Sequence, residues 1–167
     1  MNREAYFDEI TTEHQDKIYR ICAAYLYDKS LVEDLMQEVL IHIWNALPNF
    51  RGDSQLTTWV YRITVNSAIT FNKKEKKRSE TLVGDLDEQT ADNSLAREEK
   101  IALETRIDKL HEAIGTLPEY ERIIIGLVLE DLSYKEISNI LGLSTNLIGV
   151  KINRIKKKLS TILNEPS

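Results

Sequence analysis

The sequence predicts an all-α protein of two small helical domains joined by an acidic, flexible linker. Apolar residues recur at three- and four-residue spacing through most of the 167 residues, as on the buried side of a helix. Only 6 Gly and 3 Pro are present, too few turn residues for a many-stranded sandwich or barrel. A polar stretch without sustained periodicity follows residue 78. We therefore predict domains at 1–78 and 103–167, with the linker at 79–102.

The first domain is predicted to contain three helices. They cover residues 4–27, a segment from a capping box at Ser30-Leu31-Val32-Glu33 to Pro48, and about 56–77. The apolar stripe of the second helix comprises Val32, Leu35, Met36, Val39, Ile43 and Leu47. Its opposite face carries Asp34, Gln37, Glu38, Ile41 and Asn45. Solvent exposure explains such a face, but the apolar Ile41 on it favours a partner surface.

The third helix lacks a single apolar stripe. Trp59, Ile63, Asn66 and Thr70 share one face, whereas Val60, Thr64, Ser67 and Phe71 share another. A helix that is buried on one side and binds a ligand on the other has this pattern, and so does a poorly amphipathic core helix. A turn at residues 50–54 precedes it, in which Gly52 supplies backbone freedom.

The second domain contains the most specific local pattern in the chain. Ser133-Tyr134-Lys135-Glu136 is a capping box that opens a short helix, and Gly142-Leu143-Ser144 forms a tight turn. A longer helix from about Thr145 to Leu163 follows, with Lys151, Arg154, Lys157 and Lys158 on its outer side. This order is that of a helix-turn-helix, whose second helix enters the major groove of DNA. The alternative is a helical hairpin with a solvated basic face.

Charge is distributed unevenly along the chain. The formal net charge is −5, which excludes a uniformly basic nucleic-acid binder. Two segments nevertheless carry net +4 each, at residues 73–78 and 143–167, while residues 79–100 carry −5. Each basic segment lies at a predicted helix end and is either a phosphate-binding site or a solvated helix end.

The sequence lacks the motifs of common enzymes. It contains neither a metal-binding motif nor a phosphate-binding glycine loop, so we expect no catalytic residues, no metal and no cofactor. Cys22 is the single cysteine and fits a small core residue in a reducing cytoplasm. The longest uncharged apolar run has seven residues, at 123–129, and the N-terminal segment lacks the apolar core of a secretion signal. These observations predict a cytoplasmic, non-enzymatic protein.

Three motifs follow one another along the chain. The first is Val32-Glu33-Asp34-Leu35-Met36-Gln37-Glu38-Val39, the second is residues 50–54 and then Thr58-Trp59-Val60-Tyr61-Arg62-Ile63 with Asn66, and the third is Leu117-Pro118 followed by residues 132–137 and 141–144. Together they resemble bacterial RNA polymerase sigma factors of the extracytoplasmic-function group, within the sigma-70 family. The first is similar to the core-binding helix of that family, the second to its −10 recognition segment and the third to its −35-binding domain, although Gly149 stands where many members have Lys. The resemblance covers nearly the whole chain and implies sigma domain 2, a three-helix bundle, followed by sigma domain 4, a helix-turn-helix.

The resemblance also implies which residues meet each partner. Polymerase would contact Asp34, Gln37, Glu38 and Ile41. The −10 DNA would contact Phe50, Arg51, Gly52, Asp53, Ser54, Arg62, Asn66, Lys73, Lys74 and Lys77. The −35 DNA would contact Ser144, Thr145, Asn146, Gly149, Lys151, Asn153, Arg154 and Lys157.

The resemblance implies a transcription initiation factor. Such a protein binds core RNA polymerase, directs it to specific promoters and helps to melt the −10 element, and an anti-sigma factor is a further partner in this family. A stand-alone helix-turn-helix regulator is the alternative, with residues 1–78 as a ligand or dimer domain. A helical adaptor that binds only protein is a third interpretation, which the two basic helix ends disfavour.

Overall fold

The predicted all-α class is confirmed. The computed structural model describes residues 2–81 and 98–164, which form seven α-helices and two 3₁₀ turns without a strand. The α-helices are α1 Arg3–Tyr25, α2 Val32–Ala46, α3 Leu56–Thr81, α4 Glu98–Gly115, α5 Glu119–Leu129, α6 Tyr134–Leu141 and α7 Thr145–Asn164. The predicted linker is helical at both ends, where residues 79–81 extend α3 and residues 98–102 begin α4. The rest of the linker lies outside the described residues.

Helices α1, α2 and α3 pack together as a three-helix unit. The predicted stripe of α2 is buried except for Met36, which is half-buried. The start of this helix differs from the prediction: Ser30 is not its cap. The Asp28 carboxylate instead accepts hydrogen bonds from the Ser30 backbone N–H at 2.9 Å and the Ser30 hydroxyl at 2.6 Å. A 3₁₀ turn at Lys29–Leu31 then leads into α2.

The predicted helix-turn-helix is present as α6 and α7. The Ser133 hydroxyl accepts a hydrogen bond from the Glu136 backbone N–H at 3.2 Å, and the Glu136 carboxylate accepts one from the Ser133 N–H at 2.7 Å. Gly142 ends α6 with φ +69°, a left-handed conformation that favours glycine. Ile137 and Ile140 of α6 are buried, as are four apolar residues of α7, so the two helices form a rigid pair.

The two halves of the chain share one core, because α5 packs along α1 and α6 packs along α3. Gly126 permits close approach of α5: a Cβ atom there would lie 3.1 Å from the Ala24 Cβ atom. Arg20 of α1 forms a two-bond ion pair with the Glu130 carboxylate, at 2.6 and 2.9 Å, and the Glu130 side chain is 5% exposed. The Arg122 guanidinium donates to the backbone oxygen of Tyr25 at 2.7 Å. These contacts hold the helix-turn-helix half against the three-helix unit.

Cys22 lies in this core, as predicted. Its side chain is fully buried, and burial raises the pKa of its thiol to about 12. A thiol of that pKa is protonated at neutral pH and unreactive. None of the described helices is long and apolar enough to span a membrane.

Candidate protein and nucleic-acid interfaces

The outer face of α2 is an acidic surface with an apolar residue at its centre. Asp34 and Gln37 are exposed, and the Ile41 side chain is 56% exposed. Glu38 is half-buried, and the Lys74 ammonium lies 3.6 Å from its carboxylate. The structure therefore brings the four residues predicted for polymerase binding onto one face, which we call the α2 acidic face.

The loop of residues 50–54 projects between α2 and α3. Gly52 has φ +75°, so the turn uses the backbone freedom predicted for it. The Phe50 ring packs on Trp59, with ring centroids 4.8 Å apart and an interplanar angle of 47°. Arg51 and Asp53 are exposed. The loop is thus anchored by an aromatic pair while its polar tip remains open.

One face of α3 continues from this loop. Trp59, Ile63, Asn66, Thr70, Lys73 and Lys77 lie within one stripe at 100° per residue, and we call them the α3 stripe. Lys73 and Lys77 are exposed and have no ion-pair partner among the described residues. Lys74 differs, because it lies beside Glu38. The predicted basic end of this helix therefore offers two unpaired ammonium groups on the face that carries Asn66.

Arg62, predicted to contact −10 DNA, faces the other half of the molecule. Its guanidinium donates to the backbone oxygen of Asn139 in α6, at 2.7 Å. Arg62 lines a polar cavity of about 570 Å³ together with Asp53 and Ser54 of the loop and Glu136 of α6. One side of the 50–54 loop is therefore directed at the helix-turn-helix.

The outer side of α7 presents most of the residues predicted for −35 DNA. Thr145, Asn146, Asn153, Arg154 and Lys157 are exposed, and their side chains make no hydrogen bond or ion pair among the described residues. Amide and guanidinium groups are the donors that bind base edges in a major groove. This side of α7 is opposite its buried residues Ile148, Ile152, Ile155 and Leu159.

Three residues predicted for −35 DNA are placed differently. The Ser144 hydroxyl accepts a hydrogen bond from the Leu147 backbone N–H at 3.2 Å and so caps α7. Gly149 is half-buried, and a Cβ atom there would lie 3.6 Å from the Tyr134 ring. The Lys151 ammonium lies 5.6 Å from the centre of the Tyr120 ring, on the side of α5. Of these three, Lys151 can swing outward because its side chain is long and only half-buried.

The sequence reasoning missed part of the surface beside Asn66. His42 and Asn45 of α2 line a groove of about 430 Å³ with Asn66 and Thr70 of α3. Helical periodicity places Asn45 on the outer face of α2 and Thr70 beside Asn66. Periodicity within one helix does not predict that α2 and α3 pack side by side, which brings the Asn45 face of α2 next to the Asn66 face of α3.

These features define a class: an all-α protein that combines a helix-turn-helix of the DNA-binding type with a separate acidic surface on α2. The sequence profile of sigma-70 region 2 matches residues 10–78, and that of sigma-70 region 4 matches residues 107–159. RNA polymerase sigma-H factor of Pseudomonas aeruginosa is 30% identical, over 95% of this chain and 89% of that protein. The ECF RNA polymerase sigma-E factor of Escherichia coli is 29% identical, over 92% and 84%. The chain belongs to the extracytoplasmic-function (ECF) group of sigma-70-family RNA polymerase sigma factors.

The fold is also found in a solved structure. Sigma factor RpoE from Bartonella quintana, in complex with the anti-sigma factor NepR, superposes with a TM-score of 0.73. The match covers 95% of this chain and 99% of that one, at 19% sequence identity. The packing of the two halves described above therefore has a counterpart in a sigma factor structure.

Proposed function

We propose that this chain binds core RNA polymerase, directs it to specific promoters and helps to melt the −10 element, without a catalytic activity of its own. The observation that supports this best is the arrangement of charge. Exposed cations without an ion-pair partner among the described residues lie on α3 and on α7, whereas the outer face of α2 is acidic. DNA is repelled by the α2 acidic face, and the exposed Ile41 on that face favours a protein partner over plain solvent exposure.

The −10 element is the ligand that we assign to the 50–54 loop and the α3 stripe. The aromatic pair and the Asn66 amide suit unstacked bases, and Lys73 and Lys77 suit the backbone of the same strand. A base extruded into the loop costs a few kcal/mol of unstacking, which contacts to the exposed base offset. Strand separation is then driven by binding, without a chemical step.

The −35 element is the ligand that we assign to α7. Asn146, Asn153 and Arg154 are free to bind base edges, and Lys157 is free to bind phosphate. Phosphate contacts position the helix, and the amide and guanidinium contacts select the sequence.

The protein partner that we assign to the α2 acidic face is core RNA polymerase. An anti-sigma factor is a second partner: the solved relative is in complex with one. The site of action is the cytoplasm, where polymerase and DNA are found. A stand-alone regulator would bind DNA through the helix-turn-helix without polymerase. That interpretation assigns no partner to the α2 acidic face.

Run-off transcription tests the proposal. Core polymerase is mixed with this chain, with a mock preparation, or with the Asp34→Lys/Glu38→Lys variant, on a pool of promoter fragments. A sigma factor makes specific initiation depend on the wild-type chain. If specific run-off products are the same in all three reactions, the proposal is wrong. DNA binding that is unaffected by core polymerase supports the stand-alone regulator.

A further inference from the structure

Two exposed apolar residues lie on the side of α7 that we assign to −35 DNA. Leu147 is 41% exposed and Val150 is 43% exposed. Val150 is at the centre of this side, since at 100° per residue it points about 170° away from the mean direction of the four buried residues of α7. Leu147 is three residues earlier, so the two side chains are neighbours on the helix surface. We call them the α7 apolar pair.

Polar groups that are free to bind bases surround the α7 apolar pair. Asn146 lies four residues before Val150 and Arg154 lies four residues after it, so each is about one helical turn away on the same side. Neither of these polar side chains makes a hydrogen bond or an ion pair among the described residues. Gly149 has no side chain that could cover Val150. A helix that binds base edges through Asn146 and Arg154 therefore also brings Val150 against them.

The major groove offers an apolar side chain one kind of apolar partner. The edges of the base pairs present hydrogen-bond donors and acceptors there, and the C5 methyl group of thymine is the exception. The α7 apolar pair has no side-chain donor or acceptor, so a polar base edge beside it loses water without gaining a hydrogen bond. A thymine methyl group in the same place gains, because burial of apolar surface is favourable. The pair therefore favours thymine over a base that presents only polar groups.

We propose that Val150, with Leu147 beside it, recognises the C5 methyl group of a thymine in the −35 element. The inference deepens the proposed function and rests on it, because it takes α7 as the −35-binding helix. A rise of 1.5 Å per residue places Val150 about 6 Å along the helix from both Asn146 and Arg154. The thymine accordingly lies within about two base pairs of the bases that these two side chains bind. Selectivity at this position comes from an apolar contact and not from a hydrogen bond.

The test removes single methyl groups from the DNA. Holoenzyme, formed with core polymerase, first selects its preferred sequence from duplexes that are randomised across the −35 element. Each thymine of the selected element, on either strand, is then replaced by deoxyuridine, which pairs with adenine as thymine does but lacks the methyl group. For the wild-type chain we expect one or two positions at which this replacement weakens binding, by about fourfold. At the other thymines the replacement should have little effect.

Variants of the α7 apolar pair should lose this sensitivity. Val150→Ala should weaken binding of the thymine duplex by a similar factor, and it should make binding insensitive to deoxyuridine at one of the sensitive positions. Leu147→Ala should reduce the sensitivity at that position or at the adjacent one. The comparison of two duplexes for each variant cancels any general loss of affinity.

Leu163→Ala is the matched control, because Leu163 is 42% exposed in the last turn of the same helix, away from the side that carries Val150. It should keep the wild-type sensitivity to deoxyuridine. Thermal melting and pull-down of core polymerase are measured for each variant.

Four results would overturn the inference. They are a selected element without thymine, wild-type binding that no deoxyuridine weakens, undiminished sensitivity in both Val150→Ala and Leu147→Ala, and an equal loss of sensitivity in Leu163→Ala. Loss of core polymerase in the two pair variants would also overturn it, since the pair would then bind protein. Holoenzyme that selects no −35 sequence at all would contradict the proposed −35 function itself.

Discussion

Individual side chains on α7 are either free for DNA or already paired with protein. Arg154 has no partner among the described residues, whereas the Lys158 ammonium lies 2.7 and 2.8 Å from the two carboxylate oxygens of Glu121. Both are cations on the same helix, four residues or about one helical turn apart. Their different surroundings predict different effects on promoter binding.

Arg154→Ala should weaken binding at the −35 element by about 1–3 kcal/mol if the guanidinium contacts a base edge. Lys158→Ala is the control, and it should change the affinity for the −35 element by less than about 0.5 kcal/mol, because its ammonium is already paired with Glu121. Holoenzyme affinity for a duplex with and without the −35 element measures the difference. Equal losses for the two variants, or a loss for Arg154→Ala that persists without the −35 element, would contradict the assignment.

The Ser133 cap of α6 should contribute to the stability of the fold. Ser133→Ala should lower the free energy of unfolding by about 0.5–2 kcal/mol, because the Glu136 N–H loses its acceptor.

Hydrogen bonds from the Ser133 N–H and then from its hydroxyl lower the pKa of Glu136. A carboxylate with a lowered folded-state pKa stabilises the fold above its unfolded pKa, and this contribution is lost as pH falls through the folded value. The difference in the free energy of unfolding between wild type and Ser133→Ala should therefore be smaller at acid pH than at neutral pH. Denaturant titrations at the two pH values measure it. A difference that is the same at both would refute the role of Glu136.

Helices α2 and α3 each combine a buried face with an exposed face that is proposed to bind a partner. The α2 stripe was predictable because its apolar residues recur at helical spacing, and so was the polar face opposite. The two faces of α3 were also visible, but periodicity alone does not tell a ligand face from a poorly packed core face. Burial in the structure separates the two faces of α3. One face, with Val60, Thr64, Ser67 and Phe71, is buried, whereas Asn66 and Thr70 on the other face are exposed.

Other details of the elements were beyond the sequence pattern. The Ser30–Glu33 segment has the spacing of a capping box, in which the Glu33 side chain accepts a hydrogen bond from the Ser30 backbone N–H. In the structure the Asp28 carboxylate, two residues before Ser30, accepts that hydrogen bond instead. The Lys151 side chain was predicted to face the groove of DNA, but it lies beside Tyr120, which is far away in sequence. Likewise, the groove between α2 and α3 depends on helix packing, so single-helix periodicity does not reveal it.

The carboxylates of the α2 acidic face should matter for polymerase binding more than for stability. Asp34→Lys combined with Glu38→Lys should abolish binding to core polymerase while the fold persists. Asp34 is exposed and Glu38 is half-buried, opposite the apolar stripe, so the melting temperature should fall only by what it costs to replace the Glu38–Lys74 ion pair with two like charges. Glu33→Lys, an exposed residue at the start of the same helix, is the control for added charge. Pull-down of core polymerase beside thermal melting tests this; normal core affinity in the double variant would refute the docking role.

The two surfaces proposed to bind DNA lie on halves of the molecule that share one core. The −10 and −35 elements are numbered about 25 base pairs apart, which corresponds to roughly 85 Å of duplex at 3.4 Å per base pair. The three-helix unit and the helix-turn-helix are in direct contact through Arg20–Glu130 and Arg62–Asn139. We therefore expect both elements to be occupied at once only after the halves separate.

Free protein should therefore bind promoter DNA poorly, and core polymerase should rescue binding. Arg20→Glu leaves the buried Glu130 carboxylate without its partner, which destabilises the contact between the halves. This variant should bind DNA more tightly than wild type in the absence of polymerase. The double exchange Arg20→Glu/Glu130→Arg should restore the wild-type value, since the pair is rebuilt with reversed charges. Gel shifts of the free proteins test this, and an affinity that does not change in Arg20→Glu would show that closure does not limit DNA binding.

Permanganate footprinting of −10 thymines tests the central claim most directly, because it reports strand opening that requires polymerase, promoter and this chain together. The account predicts reactive −10 thymines with core polymerase plus the wild-type chain, and none with either alone. Asn66→Ala should reduce this reactivity while −35 binding persists, and Arg154→Ala should reduce −35 binding instead. If the −10 region opens equally without the chain, or if Asn66→Ala melts it normally while Arg154→Ala leaves −35 binding unchanged, the assignment of the two halves to the two promoter elements is contradicted.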